Sequence, residues 1–181
     1  MQADNKKIAL IAYLTLLGLV CAWVAGAALL PRLEGAGAWG TLVSAIVHYG
    51  YGRVCHQISD RCLHLAGLPM AVCARCFGIY LGYLAGLAVY PRVRPIETVD
   101  APPRRWLVIA LIPLSIDFLG GYLGVFENTQ ISRLLTGLIA GAACSLYTVP
   151  GIVSMAVSCI RPGLARRVRL KTRLAVETQN G

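Results

Sequence analysis

The chain has 181 residues, of which 57% are hydrophobic and only 14% charged, with a mean hydropathy of +0.65. That balance excludes an ordinary water-soluble domain and indicates an integral membrane protein of single-domain size. The net charge of +9 does not argue for nucleic acid, because the Lys and Arg residues fall in short segments between apolar runs, the pattern of membrane topology and headgroup contact.

Residues 8–30 carry no charge, follow Lys6 and Lys7, and end at Pro31 and Arg32. About 20 apolar residues cross a hydrocarbon core, so this run is the first predicted span. Ala25, Gly26 and Ala27 mimic a signal-peptide cleavage site, but the apolar run is longer than a signal peptide's. Residues 36–49 are apolar, short and glycine-bearing, and are expected to lie in the interface, re-enter or pack on the bundle rather than cross. The second span is predicted at 68–90, closed by Pro91, and the third at 106–126, with Asp117 inside it. The fourth, at 134–159, is long enough to need tilt or a kink at Pro150. The expected fold is therefore an all-α polytopic membrane protein, a four-helix transmembrane bundle. Its single domain covers 1–160, with a Cys/His loop at 50–76 and a basic cytoplasmic tail at 161–181.

With four spans, twelve of the seventeen Lys and Arg residues fall on one side: two at the N-terminus, four between 91 and 105, and six after Cys159. Arg32, Arg53, Arg61, Arg75 and Arg133 remain for the other. The positive-inside rule then makes both termini cytoplasmic and the Cys-rich loop extracytoplasmic, in a multi-pass protein of the cell (inner) membrane. Small residues recur every four positions at Gly78, Gly82 and Gly86, at Gly18, Ala22 and Gly26, and at Gly137 and Gly141. Such stripes allow close helix approach in lipid.

Residues 55–76, CHQISDRCLHLAGLPMAVCARC, hold four of the seven cysteines and two of the three histidines. If the second span begins near Met70, a rise of 1.5 Å per residue puts Cys73 about 5 Å and Cys76 about 9 Å below its outer end. Asp117 then lies about 14 Å below the same face, counted from Phe126. An ionisable residue at that depth is a functional candidate by default. Arg75 is positioned to pair with Asp117 or Glu127, or to snorkel to the headgroups. The segment 126–133, FENTQISR, brings Glu127, Asn128 and Arg133 to the same mouth. The candidate catalytic residues are His56, Arg75, Asp117 and Arg133.

The CHQ triplet, CARCFGIYLG, an Asp in the following span and ENTQISRLLTGLIAG together resemble an uncharacterised membrane-protein family, domain of unknown function 2085. The resemblance covers about residues 55–141 and picks out Cys55, His56, Gln57, Cys73, Arg75, Cys76, Gly78, Tyr80, Asp117, Asn128, Arg133 and Gly137. This chain has Met70-Ala71-Val72 where the family tends to Pro-Val, and Phe77 where Thr is usual. Cys62 is outside the family pattern. The family name implies no activity.

Three chemistries fit the cysteines. The first is a metal site of the zinc type, or for another transition metal, on Cys55, His56, Cys73 and Cys76 with Asp117 nearby; Cys-x-x-Cys at a helix start is a common half-site whose thiols are biased toward thiolate. Neighbouring residues such as Cys55 and His56 seldom bind one ion together, so His56 is either ligand or proton carrier. The second is quinone-linked thiol-disulfide exchange at Cys73 and Cys76, with Cys55 and Cys62 as the loop pair; it implies a protein thiol partner and a lipid-soluble quinone. The third is purely structural disulfides, for which four outward cysteines allow three pairings. Cys21, Cys144 and Cys159 read as apolar packers, and His48 and His64 as interfacial residues. No phosphate-cradling loop, serine-nucleophile motif or HExxH is present. A transporter in which Pro113, Gly120, Gly121 and Gly124 break the third span is a more distant reading. The lipid bilayer is the expected partner, with homo-oligomerisation compatible and nucleic acid excluded.

Overall fold

The computed structural model describes residues 2–29, 33, 36–65 and 67–160, apart from the side chains of residues 2–4. The expected basic tail at 161–181 and Arg32 lie outside the described residues. Four helices are long and apolar enough to cross a membrane: α1 (Gln2–Leu29), α3 (Ala74–Val93), α4 (Arg104–Tyr122) and α5 (Gln130–Ile160). Their outward faces are apolar, with Leu14, Leu19, Ile109, Ile116 and Ile139 all exposed. That is the surface a hydrocarbon solvent requires, since burial inside the protein is not needed to remove it from water. Helix α2 (Gly37–Gly52) has 16 residues, about 24 Å at the helical rise and short of the roughly 30 Å hydrocarbon core.

The expectation of a purely helical chain needs one correction. Two strands, β1 (Cys62–Leu65) and β2 (Leu68–Cys73), pair as an antiparallel hairpin, with Gly67 at φ +83° before β2. The second span accordingly starts at Ala74 rather than Leu68, with Cys73 as its N-cap. It also runs through Pro91 to Val93. Pro91 lies in the last turn, where its lost N–H and ring clash cost only the end of the helix. The third span ends at Tyr122 rather than Phe126. Asp117 is thus five residues from the helix end, about 8 Å rather than 14 Å at 1.5 Å per residue.

Helices α3 and α5 run parallel and pack through both glycine stripes. A Cβ at Gly78, Gly82 or Gly86 would collide with the Leu134 carbonyl, the Leu138 carbonyl or the Ser145 hydroxyl, and one at Gly137 or Gly141 with the backbone of Arg75 or Ile79. These glycines therefore set the interhelical distance, as expected of small-residue stripes in lipid. The stripe on α1 behaves differently: Gly18 has nothing within 4 Å of a would-be Cβ, and Ala22 is exposed. Helix α1 instead runs antiparallel to α3, through Tyr13 donating to the Leu87 carbonyl (2.6 Å) and Trp23 meeting the Tyr80 ring edge-on (6.0 Å between centroids). Lys6 pairs with Glu97 at 3.3 Å. This joins the start of α1 to the connection between α3 and α4, so the basic segments at 6–7 and 92–105 occupy one end of the bundle. The hairpin and α2 occupy the other.

Candidate metal centre

Three elements deliver the thiols. Cys55 follows α2, its N–H bonded to the Tyr51 carbonyl at 2.9 Å. The Tyr51 hydroxyl in turn donates to the Trp23 carbonyl at 2.5 Å, which ties this end of α2 to α1. Gln57 holds the backward turn of the loop: it is the one described non-glycine residue at positive φ (51°), an uncommon conformation for a side-chain-bearing residue. Its amide donates to the carbonyls of His48 and Ala71, both at 2.9 Å, bracing the loop between α2 and β2. Cys73 ends β2 and Cys76 is the third residue of α3.

The sulfurs of Cys55, Cys73 and Cys76 all lie within 4.8 Å of one another. Tetrahedral zinc with thiolates at about 2.3 Å separates its sulfurs by about 3.8 Å, so closure onto an ion needs movements of about 1 Å or less. The Cys73 backbone N–H also donates to the Cys55 sulfur at 3.2 Å. The neighbouring Cys55 and Cys76 thiols hold the Cys73 thiol below its ordinary pKa, so Cys73 is the sulfur of this corner most readily held as the anion that metals bind.

The other sequence candidates divide. Cys62 is cross-strand partner of Cys73, yet its thiol is buried, outside the group of three, and turned to the Ile58 carbonyl at 3.2 Å. Burial raises its pKa to about 11, which makes it a poor ligand and a poor nucleophile. His56 is exposed and is not part of the thiol group. Its backbone neighbour Cys55 turns inward, so adjacent side chains at this turn point to different surroundings. Asp117 is likewise outside the group. All seven cysteines are free thiols in the structure.

Asp117 has its own set of partners. Arg75, the second residue of α3, pairs with it across the helix boundary, and the Arg75 guanidinium also sits 5.5 Å from the centroid of the Phe118 ring. The Ser132 hydroxyl donates to the Asp117 carboxylate at 2.8 Å, and the Asn128 amide donates to the Asp117 carbonyl. Gly120 and Gly121 make this possible, since a Cβ on either would strike Phe126 or Asn128 as the 123–129 connection folds back over the end of α4. They thus accommodate a loop rather than break the helix. Arg133 is half-buried, its Nε buried without a hydrogen-bond partner, while Glu127 is exposed. Two contributors were not anticipated from the sequence. One is Ser132; the other is Gln130, whose amide reaches the carbonyls of Asp60 and Cys62 at 3.3 Å and ties α5 to the hairpin.

Side-chain exposures of 20% for Arg75 and 7% for Asp117 make this a desolvated pair, in which removing one partner strands the other. Asp117→Ala alone is expected to destabilise the detergent-solubilised protein by about 3 kcal/mol. Arg75→Ala with Asp117→Ala should cost less than the sum of the single changes by about 1–3 kcal/mol, as read by a double-mutant cycle of thermal unfolding. Additive effects would show that the pair is not coupled.

No solved structure matches the chain. An uncharacterized protein of Methanocaldococcus jannaschii is 38% identical over 108 residues, which cover 60% of this chain and 69% of that protein. An uncharacterized protein of Methanothermobacter thermautotrophicus is 32% identical over 95 residues, covering 52% of this chain and 84% of its own length. The family model described as "Predicted membrane protein (DUF2085)" matches residues 55–147. That span contains every thiol of the cluster, Arg75, Asp117 and Arg133, and the chain belongs to that family of membrane proteins, domain of unknown function 2085.

Proposed function

We propose that this membrane protein holds a transition metal, zinc by preference, on the thiolates of Cys55, Cys73 and Cys76, leaving one coordination position for a further ligand. The observation that carries the reading is the convergence of three sulfurs within 4.8 Å from three separate elements. Zinc suits a site rich in thiolate, and an open fourth position is the arrangement of reactive rather than structural sites. Structural disulfides account for the group less well: three thiols leave one over after pairing, and Cys62, the available fourth, is engaged with a backbone carbonyl. Elemental analysis with thiol counting on purified protein tests the reading. One metal per chain with the thiols reduced supports it; no metal and oxidised cysteines would overturn it. Gln57→Leu, which removes both braces of the Cys55 loop, is expected to weaken metal retention against a chelator about tenfold without changing the stoichiometry.

The lowered pKa of Cys73 beside Cys76 favours a second reading, thiol-disulfide exchange linked to a lipid-soluble quinone. It predicts a trapped mixed disulfide with a protein partner when Cys76 is replaced, and quinone reduction by the wild type. In either case the thiol end faces outward from the cell (inner) membrane with both chain termini cytoplasmic, because the basic segments gather at the opposite end. An impermeant maleimide added from outside should label Thr41→Cys or Leu65→Cys but not Thr98→Cys; the reverse pattern would invert the topology.

A further inference from the structure

We infer that the rim of the thiol centre, where the Arg61 turn is held against the end of α5 that carries Arg133, is a binding site for an oxyanion gripped by Arg133. The inference names the ligand class of the proposed metal site and rests on that reading for the ligand's role, not for its binding. Arg133 is in the first turn of α5 and half-buried, and its Nε is buried with no hydrogen-bond partner. Among the described residues it forms no ion pair, and the Asp117 carboxylate is taken by Arg75 and Ser132. The bonds from Gln130 to the carbonyls of Asp60 and Cys62 keep the Arg61 turn against the same end of α5.

A half-buried guanidinium with free donors is costly unless an acceptor arrives, and its planar fork matches phosphate and carboxylate oxygens.

The test is equilibrium dialysis of radiolabelled inorganic phosphate against the full chain in neutral detergent, before and after chelator treatment. Saturable binding is expected, weakened about tenfold or more by Arg133→Gln and less by Arg133→Lys, in line with loss of a charge-assisted bond. Should Arg133→Gln fail to fold, Arg61→Gln, at an exposed position, is expected to weaken binding in the same direction. Competition by nanodiscs of phosphatidylglycerol, but not of phosphatidylcholine, would assign the oxyanion to a lipid headgroup; indifference to both would assign it to a free anion. Phosphate binding that survives in protein shown to hold no metal would support this inference while removing the metal reading. Stoichiometric metal without saturable phosphate binding, or phosphate binding unchanged in Arg133→Gln, would overturn it.

Discussion

Gly82→Leu is expected to disrupt the bundle, because the new side chain would be driven into the backbone of Leu138 on α5. Backbone cannot yield as a side-chain tip can, so the helices must separate along the whole parallel contact from Gly78 to Gly86. The expected cost is about 3 kcal/mol, at the upper end for overpacking. In detergent this would read as a fall in thermal midpoint and loss of the monodisperse peak on size exclusion. Gly18→Leu, at a position with nothing within 4 Å, should leave both measurements unchanged. Equal effects of the two substitutions would contradict the assignment of α3 and α5 as the tight pair.

The second large effect is expected at the thiols. Cys73→Ala removes one of the three sulfurs that lie within 4.8 Å of one another. Two thiols are a poor zinc site in the absence of further ligands, so stoichiometric metal should fall to a trace in the purified variant. Cys62→Ser should retain full metal, since its sulfur points to the Ile58 carbonyl rather than to the group. The contrast is informative because both cysteines belong to one hairpin and are cross-strand partners. A mere disturbance of the hairpin would affect both variants alike. Loss of metal in Cys62→Ser to the same degree would recast the site as a four-cysteine cluster.

Much of this architecture was legible in the residues themselves. The spans announce themselves by length and lack of charge, and the glycine ladders on the second and fourth foretold a close contact. A ladder does not say what it faces, however, and the one on the first span proved to be turned outward at Gly18 and Ala22. The hairpin was illegible for a related reason. Residues 68–73 are apolar and continuous with the span that follows, so no break in hydropathy marks where Cys73 leaves a strand and Ala74 begins a helix. The same blindness placed Asp117 too deep, because Leu123, Val125 and Phe126 are apolar yet belong to a connection folding back on Gly120 and Gly121.

The site followed a similar division. Cys55, Cys73 and Cys76 were identifiable from residue type and Cys-x-x-Cys spacing, and the Arg75 to Asp117 pair from the scarcity of buried charge. His56, offered by residue type as ligand or proton carrier, is exposed and outside the thiol group while Cys55 beside it is buried, a backbone matter that residue type does not reveal. Ser132 was missed because a serine in a polar connection carries no signal until the fold brings it against a carboxylate.

On the proposed reading three sulfurs, and not two or four, surround one ion. X-ray absorption at the metal edge of the purified wild-type protein tests it most directly. The expected result is three sulfur ligands at about 2.3 Å with one lighter oxygen or nitrogen neighbour at about 2.0 Å. A first shell of oxygen and nitrogen alone, or of four sulfurs, would contradict it.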